Sequence, residues 1–273
     1  MGKKTKIDWC DASWNPVTGC LHGCEYCYAR RIAERFGWET DAEMLHDVHL
    51  PQRNMIGNIN PYPYGFAPTI LRYKLYEPQR WKQPRNIFVC SMADLFGDWV
   101  PDEWIKAVFD ACDAAPQHRY IFLTKNPRRY TRMANAHLVA EWNKKHPDKP
   151  HTRTAEFENI IPLPVRDNWW YGSTLDNNRA LRFQGDFKWN SFTSIEPLTE
   201  FMDMGLGSFG TDKWTIIGAE TGNRKGKVIP KREWIDNILD AASITGMKVF
   251  MKESLRALMG DDFRQEFPWD VTA

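Results

Sequence analysis

The sequence lacks any run of about 18 or more apolar residues, so no segment is a candidate to cross a bilayer as a helix. Its start, Met1 to Trp9, is basic but has none of the apolar stretch that a secretory signal needs, which predicts a cytoplasmic protein. Neither sign of charge is in surplus: 36 Lys and Arg stand against 35 Asp and Glu, a net charge of +1. No global field therefore draws the chain to nucleic acid, and any such contact must come from a local patch. Low-complexity segments and internal repeats are missing too. The six cysteines are too unevenly placed for a disulfide framework: three fall within eight residues while Cys10, Cys90 and Cys112 stand apart. The 273 residues, 42% hydrophobic and 26% charged, exclude a disordered or collagen-like chain.

Aromatic residues, by contrast, are plentiful. Thirteen Trp and an aromatic share of 14% exceed the usual need of a core this size, so a ring-lined cleft for a flat ligand stands beside plain core packing as a reading. From residue 85 onward, short β-branched or aromatic runs alternate with helix-like stretches. Strands are predicted at 86–91, 120–124, 169–174, 192–196, 214–220 and 248–252, with a short one at 7–9. Helices are predicted at 29–36, 102–115, 127–137, 177–183 and 231–245, several opened by a first-turn proline. Such alternation means βαβ units and a parallel sheet of about seven strands, an open or partly closed α/β barrel. Residues 37–84 and 143–168 break the rhythm with many prolines and read as irregular insertions in one domain spanning 1–273. Cys90 and Cys112 read as inert buried thiols on a strand and a helix.

In a parallel barrel, chemistry collects at the C-terminal strand ends. Those ends carry Ser91 and Asp94, Thr124 and Lys125, Ser173 and Thr174, Ser194 and Glu196, Glu220, and Lys252. Hydroxyls, carboxylates and lysines thus recur on one rim, which predicts a polar ligand site. Ahead of it, Cys20, Cys24 and Cys27 form C-x3-C-x2-C in a loop, with Gly19 and Gly23 free to let the backbone turn tightly. Three readings stay open. A structural zinc site would need Cys10 or His22 as a fourth ligand. A redox pair of Cys24 and Cys27 leaves Cys20 without a role. A three-cysteine 4Fe–4S cluster leaves one iron open to a small molecule.

The cysteine motif with Tyr28 directly after it, ahead of an α/β barrel, resembles the radical S-adenosylmethionine superfamily. The wider chain resembles one branch of it, the phage Gp37/Gp68-like family also labelled DUF5131. The matching stretches are DASWNPVTGC at 11–20, FVCSMADLF at 88–96, FLTK at 122–125, SIEPL at 194–198 and IIGAETG at 216–222. The resemblance implies a 4Fe–4S cluster on Cys20, Cys24 and Cys27 that holds S-adenosylmethionine, cleaved reductively to a 5′-deoxyadenosyl radical that abstracts hydrogen from a substrate. It implies Tyr28 near the adenine, Ser91 and Asp94 toward the methionyl ammonium group, and Ser173, Glu196 and Glu220 toward ribose and substrate. Glu196, Glu220 and Lys252 are the candidate catalytic residues, with Lys125 and Lys252 able to pair with a carboxylate or phosphate. A flavodoxin-like or ferredoxin-like electron donor is the implied partner, and the host cytoplasm the implied location of a phage-encoded enzyme. The rings, the basic segments 125–132 and 224–232, and the phage-borne relatives together point to DNA as substrate. The expected reaction is isomerisation of a glycyl-thymine adduct, with 37–84 as the surface for base flipping. The competing expectation is a non-catalytic nucleic-acid-binding protein stapled by zinc or an Fe–S site.

Overall fold

A computed structural model describes residues 5–35, 41, 43–204 and 209–270. In chain order the elements are β1 (Ala12–Trp14), β2 (Val17–Thr18), α1 (Tyr28–Ala33), β3 (His46–Val48), β4 (Thr69–Leu71), β5 (Asn86–Val89) and α2 (Asp102–Asp113). There follow β6 (Arg119–Thr124), α3 (Pro127–Lys145), α4 (Thr154–Phe157), β7 (Trp169–Thr174), β8 (Asn190–Ile195), β9 (Trp214–Ile217), α5 (Arg232–Thr245), β10 (Lys248–Met251) and α6 (Arg256–Met259). Seven strands make one parallel sheet in the order β1-β5-β6-β7-β8-β9-β10. The predicted half-barrel of seven parallel strands is therefore the architecture. No helix among the described residues is long and apolar enough to cross a membrane.

Most of its strands are apolar on both faces, as parallel strands covered on both sides tend to be, although β8 and β9 also bury Ser191, Thr193 and Thr215. The outer face packs Tyr120, Phe122, Trp169 and Tyr171 against Trp104, Val108 and Phe109 of α2 and Tyr130 and Met133 of α3. The inner face gathers Phe88, Ile121, Trp170, Phe192, Trp214, Ile216 and Phe250 around Trp9. Trp9 is the plug that reports the curl. Its ring lies 4.6 Å from Phe88 on β5 and 6.2 Å from Trp214 on β9, although three strands separate those two in the sheet. Gly172 on β7 makes room inside, since a Cβ there would stand 2.2 Å from the Phe192 ring.

The structure corrects several sequence expectations. The first strand is β1, not 7–9, because Trp9 is spent as the inner plug. Residues 177–183 form no helix: Asn177 turns its side-chain oxygen onto the Arg179 N–H, and Asn178 binds Glu200 and the Phe201 carbonyl, a local alternative that wins over the helix. The helix expected at 127–137 runs on to Lys145, held by Ala136 and Val139 against Phe157 of α4, so 143–168 is only partly irregular. Within 37–84, β3 and β4 join β2 in a small three-stranded sheet. Residues 36–40 and 42, part of that insertion and of the end predicted for the first helix, lie outside the described residues. Cys90 sits just past β5, fully buried at φ +60°.

Candidate active site

The cysteine loop runs from β2 to α1 and is laced to the ends of the strands. Gly19 N–H donates to the Met92 carbonyl at 2.9 Å and Cys20 N–H to that of Phe66 at 3.3 Å. Only glycine can make this approach, because at position 19 (φ +87°) a Cβ would stand 2.2 Å from the Ala67 carbonyl oxygen. Cys27 is the N-cap of α1, its Sγ accepting from Arg30 N–H at 3.3 Å. Arg30 in turn reaches the Cys20 carbonyl at 3.4 Å and lies over Phe66. His22 meets Asp94 at 2.7 Å and packs edge-on to Trp99.

Cys20, Cys24 and Cys27 are free thiols that ring a cavity of about 170 Å³ with Tyr26, Tyr28, Phe66, Ser91 and Asp94. Burial pushes the Cys20 thiol up to about 12, with the neighbouring Asp94, Cys24 and Cys27 adding to it. All three thiols line the same space, and no group of three His, Cys, Asp or Glu among the described residues is poised to cage a single ion. Three unpaired thiols around one cavity are a donor set that fits an iron–sulfur cluster. Cys10 is elsewhere, its thiol toward the Ile7 carbonyl at 3.9 Å beside the inner aromatic cluster, so it is not placed to complete a zinc cage. Cys112 is buried on α2 as expected.

A second cavity, of about 210 Å³, shares Tyr26, Tyr28, Phe88, Ser91, Leu123, Lys125 and Thr174 with the first. The two are halves of one cleft. Its far wall brings together Glu196, Glu220 and Lys252 with Trp9 and Thr221. Lys252 Nζ, just past β10, ion-pairs with Glu196, just past β8, across the end of β9 that lies between them. Glu220 is clamped by Arg224 at 2.6 and 2.8 Å, and these hydrogen bonds hold its carboxyl below the usual carboxylate range. Lys125 bridges the halves: its Nζ donates to the Tyr26 hydroxyl at 2.6 Å and pairs with Asp176. Burial works against the Asp176 carboxylate, yet hydrogen bonds from Lys125 and Tyr26 bring its pKa below the ordinary value. Tyr26 and Asp176 are the site residues that sequence reasoning missed. The signal for Tyr26 was its place inside the cysteine motif; Asp176, two residues past β7, had none.

Of the expected cofactor residues, Tyr28 and Ser91 line both halves, and the Tyr28 hydroxyl donates to the Ser91 carbonyl at 2.8 Å. Ser173 does not. It is fully buried on the outer side of β7, its Oγ accepting from Phe183 N–H at 2.8 Å, and Thr174 takes the place on the wall. Asp94 lines the cysteine half but has no vacant oxygen for an ammonium group. Its Oδ1 accepts from Phe96 N–H at 3.0 Å and the Thr124 hydroxyl at 2.7 Å, its Oδ2 from Lys125 N–H at 2.9 Å, with His22 at 2.7 Å. Asp94 is thus a knot that ties the cysteine loop to the ends of β5 and β6.

Among solved structures, a cysteine-to-alanine mutant of spore photoproduct lyase with dinucleoside spore photoproduct is similar over 92% of this chain and 79% of that one, at 9% identity and a TM-score of 0.49. So loose a likeness bears on neither activity nor substrate. No curated protein matches the sequence. The family model described as "Protein of unknown function (DUF5131)" matches residues 4–257, nearly the whole chain, and the protein therefore belongs to the DUF5131 family.

Proposed function

We propose that this protein is a radical S-adenosylmethionine enzyme that rearranges a modified nucleobase in DNA, a glycyl-thymine adduct being the best-fitting substrate. The observation that carries the reading is that three free thiols open directly onto a largely apolar cleft at the strand ends, into which a few charged groups (Lys125, Glu196, Glu220 and Lys252) converge. Cys20, Cys24 and Cys27 would hold a 4Fe–4S cluster. Bound there, such a cluster with S-adenosylmethionine would supply one-electron chemistry capable of hydrogen abstraction.

The chain's own groups orient the reactants and exclude water. Tyr26 and Tyr28 offer ring faces where the halves join. Lys125, fixed by Asp176 and Tyr26, presents a positive charge to a carboxylate in the cleft. The Glu196–Lys252 pair offers opposite charges side by side, a complement to the ammonium and carboxylate of an aminoacyl group. Glu220, held ionised by Arg224, accepts hydrogen bonds from ribose or substrate. An isomerisation returns the abstracted hydrogen and needs no net oxidant, in keeping with a motif of three cysteines and no second cysteine cluster in the sequence.

Deuterium placed on the glycyl carbon of modified DNA tests the substrate. Label should appear in 5′-deoxyadenosine during turnover with a flavodoxin-like or ferredoxin-like donor. Transfer only from a free nucleotide, a peptide or a small metabolite would overturn the DNA assignment.

A further inference from the structure

Two segments far apart in sequence meet beside the cleft. Gly222, at φ +86° in the loop after β9, is reached by the Arg31 side chain of α1: a Cβ there would stand 3.4 Å from the guanidinium. The loop reaches the cleft wall through Glu220 and Thr221, and α1 reaches it through Tyr28, so their contact forms a lip at the mouth. That lip is cationic. Arg31 and Arg35 extend from α1 and the turn after it, and Lys225 and Lys227 from the loop; all four are exposed. None makes an ion pair among the described residues: Lys227 donates to the Gly222 carbonyl at 3.4 Å and adds to the positive field on Glu220 without pairing with it. The nearby carboxylates already face other cations: Glu220 and Glu25 face Arg224, and Glu34 faces Arg30 at 3.7 Å. In a chain of net charge +1 this concentration is local.

We infer that the lip is a docking surface for the phosphodiester backbone of a nucleic-acid strand, whose target base would enter the cleft; only that last clause rests on the proposed reaction. A site for one phosphate is built from buried donors that converge on a point. Four exposed cations on two neighbouring segments, none of them in an ion pair among the described residues, match instead the repeated charges of a strand. The half-exposed ring of Tyr28 beside them gives a base a face to stack on.

The test is the salt dependence of binding of a fluorescein-labelled single-stranded DNA oligonucleotide to the full chain, read by anisotropy. Combining Arg31→Gln, Lys225→Gln and Lys227→Gln should lower affinity at low salt by about tenfold or more and reduce the slope of log K against log salt by about 2. Lys225→Gln with Lys227→Gln alone should remove about 1 from the slope, which keeps the test valid should the Arg31 change disturb α1. Arg128 and Arg132, although in the basic segment 125–132 expected from the sequence to meet DNA, line a separate cleft of α3, so Arg128→Gln with Arg132→Gln should leave both quantities unchanged. An unchanged slope in the lip variants, an equal loss in the α3 variant, or a free mononucleotide that competes as well as the strand overturns the inference. Release of 5′-deoxyadenosine by the reduced wild type separates the two claims. Release without lip-dependent binding removes the docking surface alone, and lip-dependent binding without release removes the radical chemistry alone.

Discussion

Asp212 shows how one buried carboxyl can set a pH dependence far from the cleft. Burial pushes its pKa up to about 6, although Thr193 and Arg182 pull the other way. The Thr193 hydroxyl donates to Oδ2, and the buried Ser191 hydroxyl beside the carboxyl also favours its charged form. An unfolded Asp titrates near 3.9, so the folded state binds this proton more tightly. Its contribution to stability is therefore full below about pH 4 and lost as pH rises through about 6. Asp212→Asn keeps an acceptor for Thr193 and removes the charge. It should stabilise the protein at pH 8 by up to ~3 kcal/mol and by little at pH 4, measured by denaturant unfolding at both values. An equal effect at the two pH values would contradict the assignment. Residue-level chemistry at the site was only partly legible in the sequence. Ser173 and Thr174 are both hydroxyls in a strand buried on both faces, so no apolar–polar alternation tells which one faces inward. The occupied oxygens of Asp94 depend on four donors from three separate segments, a convergence that sequence order does not display.

At the scale of elements, β7 and β8 depend on an exchange of volume across the inner face. Gly172 has no side chain because Phe192 fills its space. Gly172→Ala should cost about 2 kcal/mol of unfolding free energy through overpacking, and Phe192→Leu in the same chain should recover part of it. Additive losses in the double mutant would mean that the two residues do not share the space. Six of the seven sheet strands were legible because each is a short aromatic or β-branched run with a turn signal after it. The one misplaced, at 7–9, failed because Trp9 looks like a strand residue and serves as a plug. The helix expected at 177–183 failed because Asn177 and Asn178 bind locally, and the extension of α3 was hidden by the polarity of its last two turns.

For the molecule as a whole, the account rests on a parallel half-barrel whose strand ends, cysteine loop and basic lip meet at one mouth. The architecture followed from strand–helix alternation, and the cysteine motif from spacing alone. The joining of the two half-cavities by Tyr26, Lys125 and Asp176 needed the folded chain. The most direct test of the central claim is 5′-deoxyadenosine release from S-adenosylmethionine by the anaerobically reconstituted, dithionite-reduced protein. The wild type should hold about four irons and release 5′-deoxyadenosine without any substrate, while Cys24→Ala should hold no such cluster and release none. A wild type that takes up zinc but no iron, or that holds iron and leaves S-adenosylmethionine intact, would contradict the account.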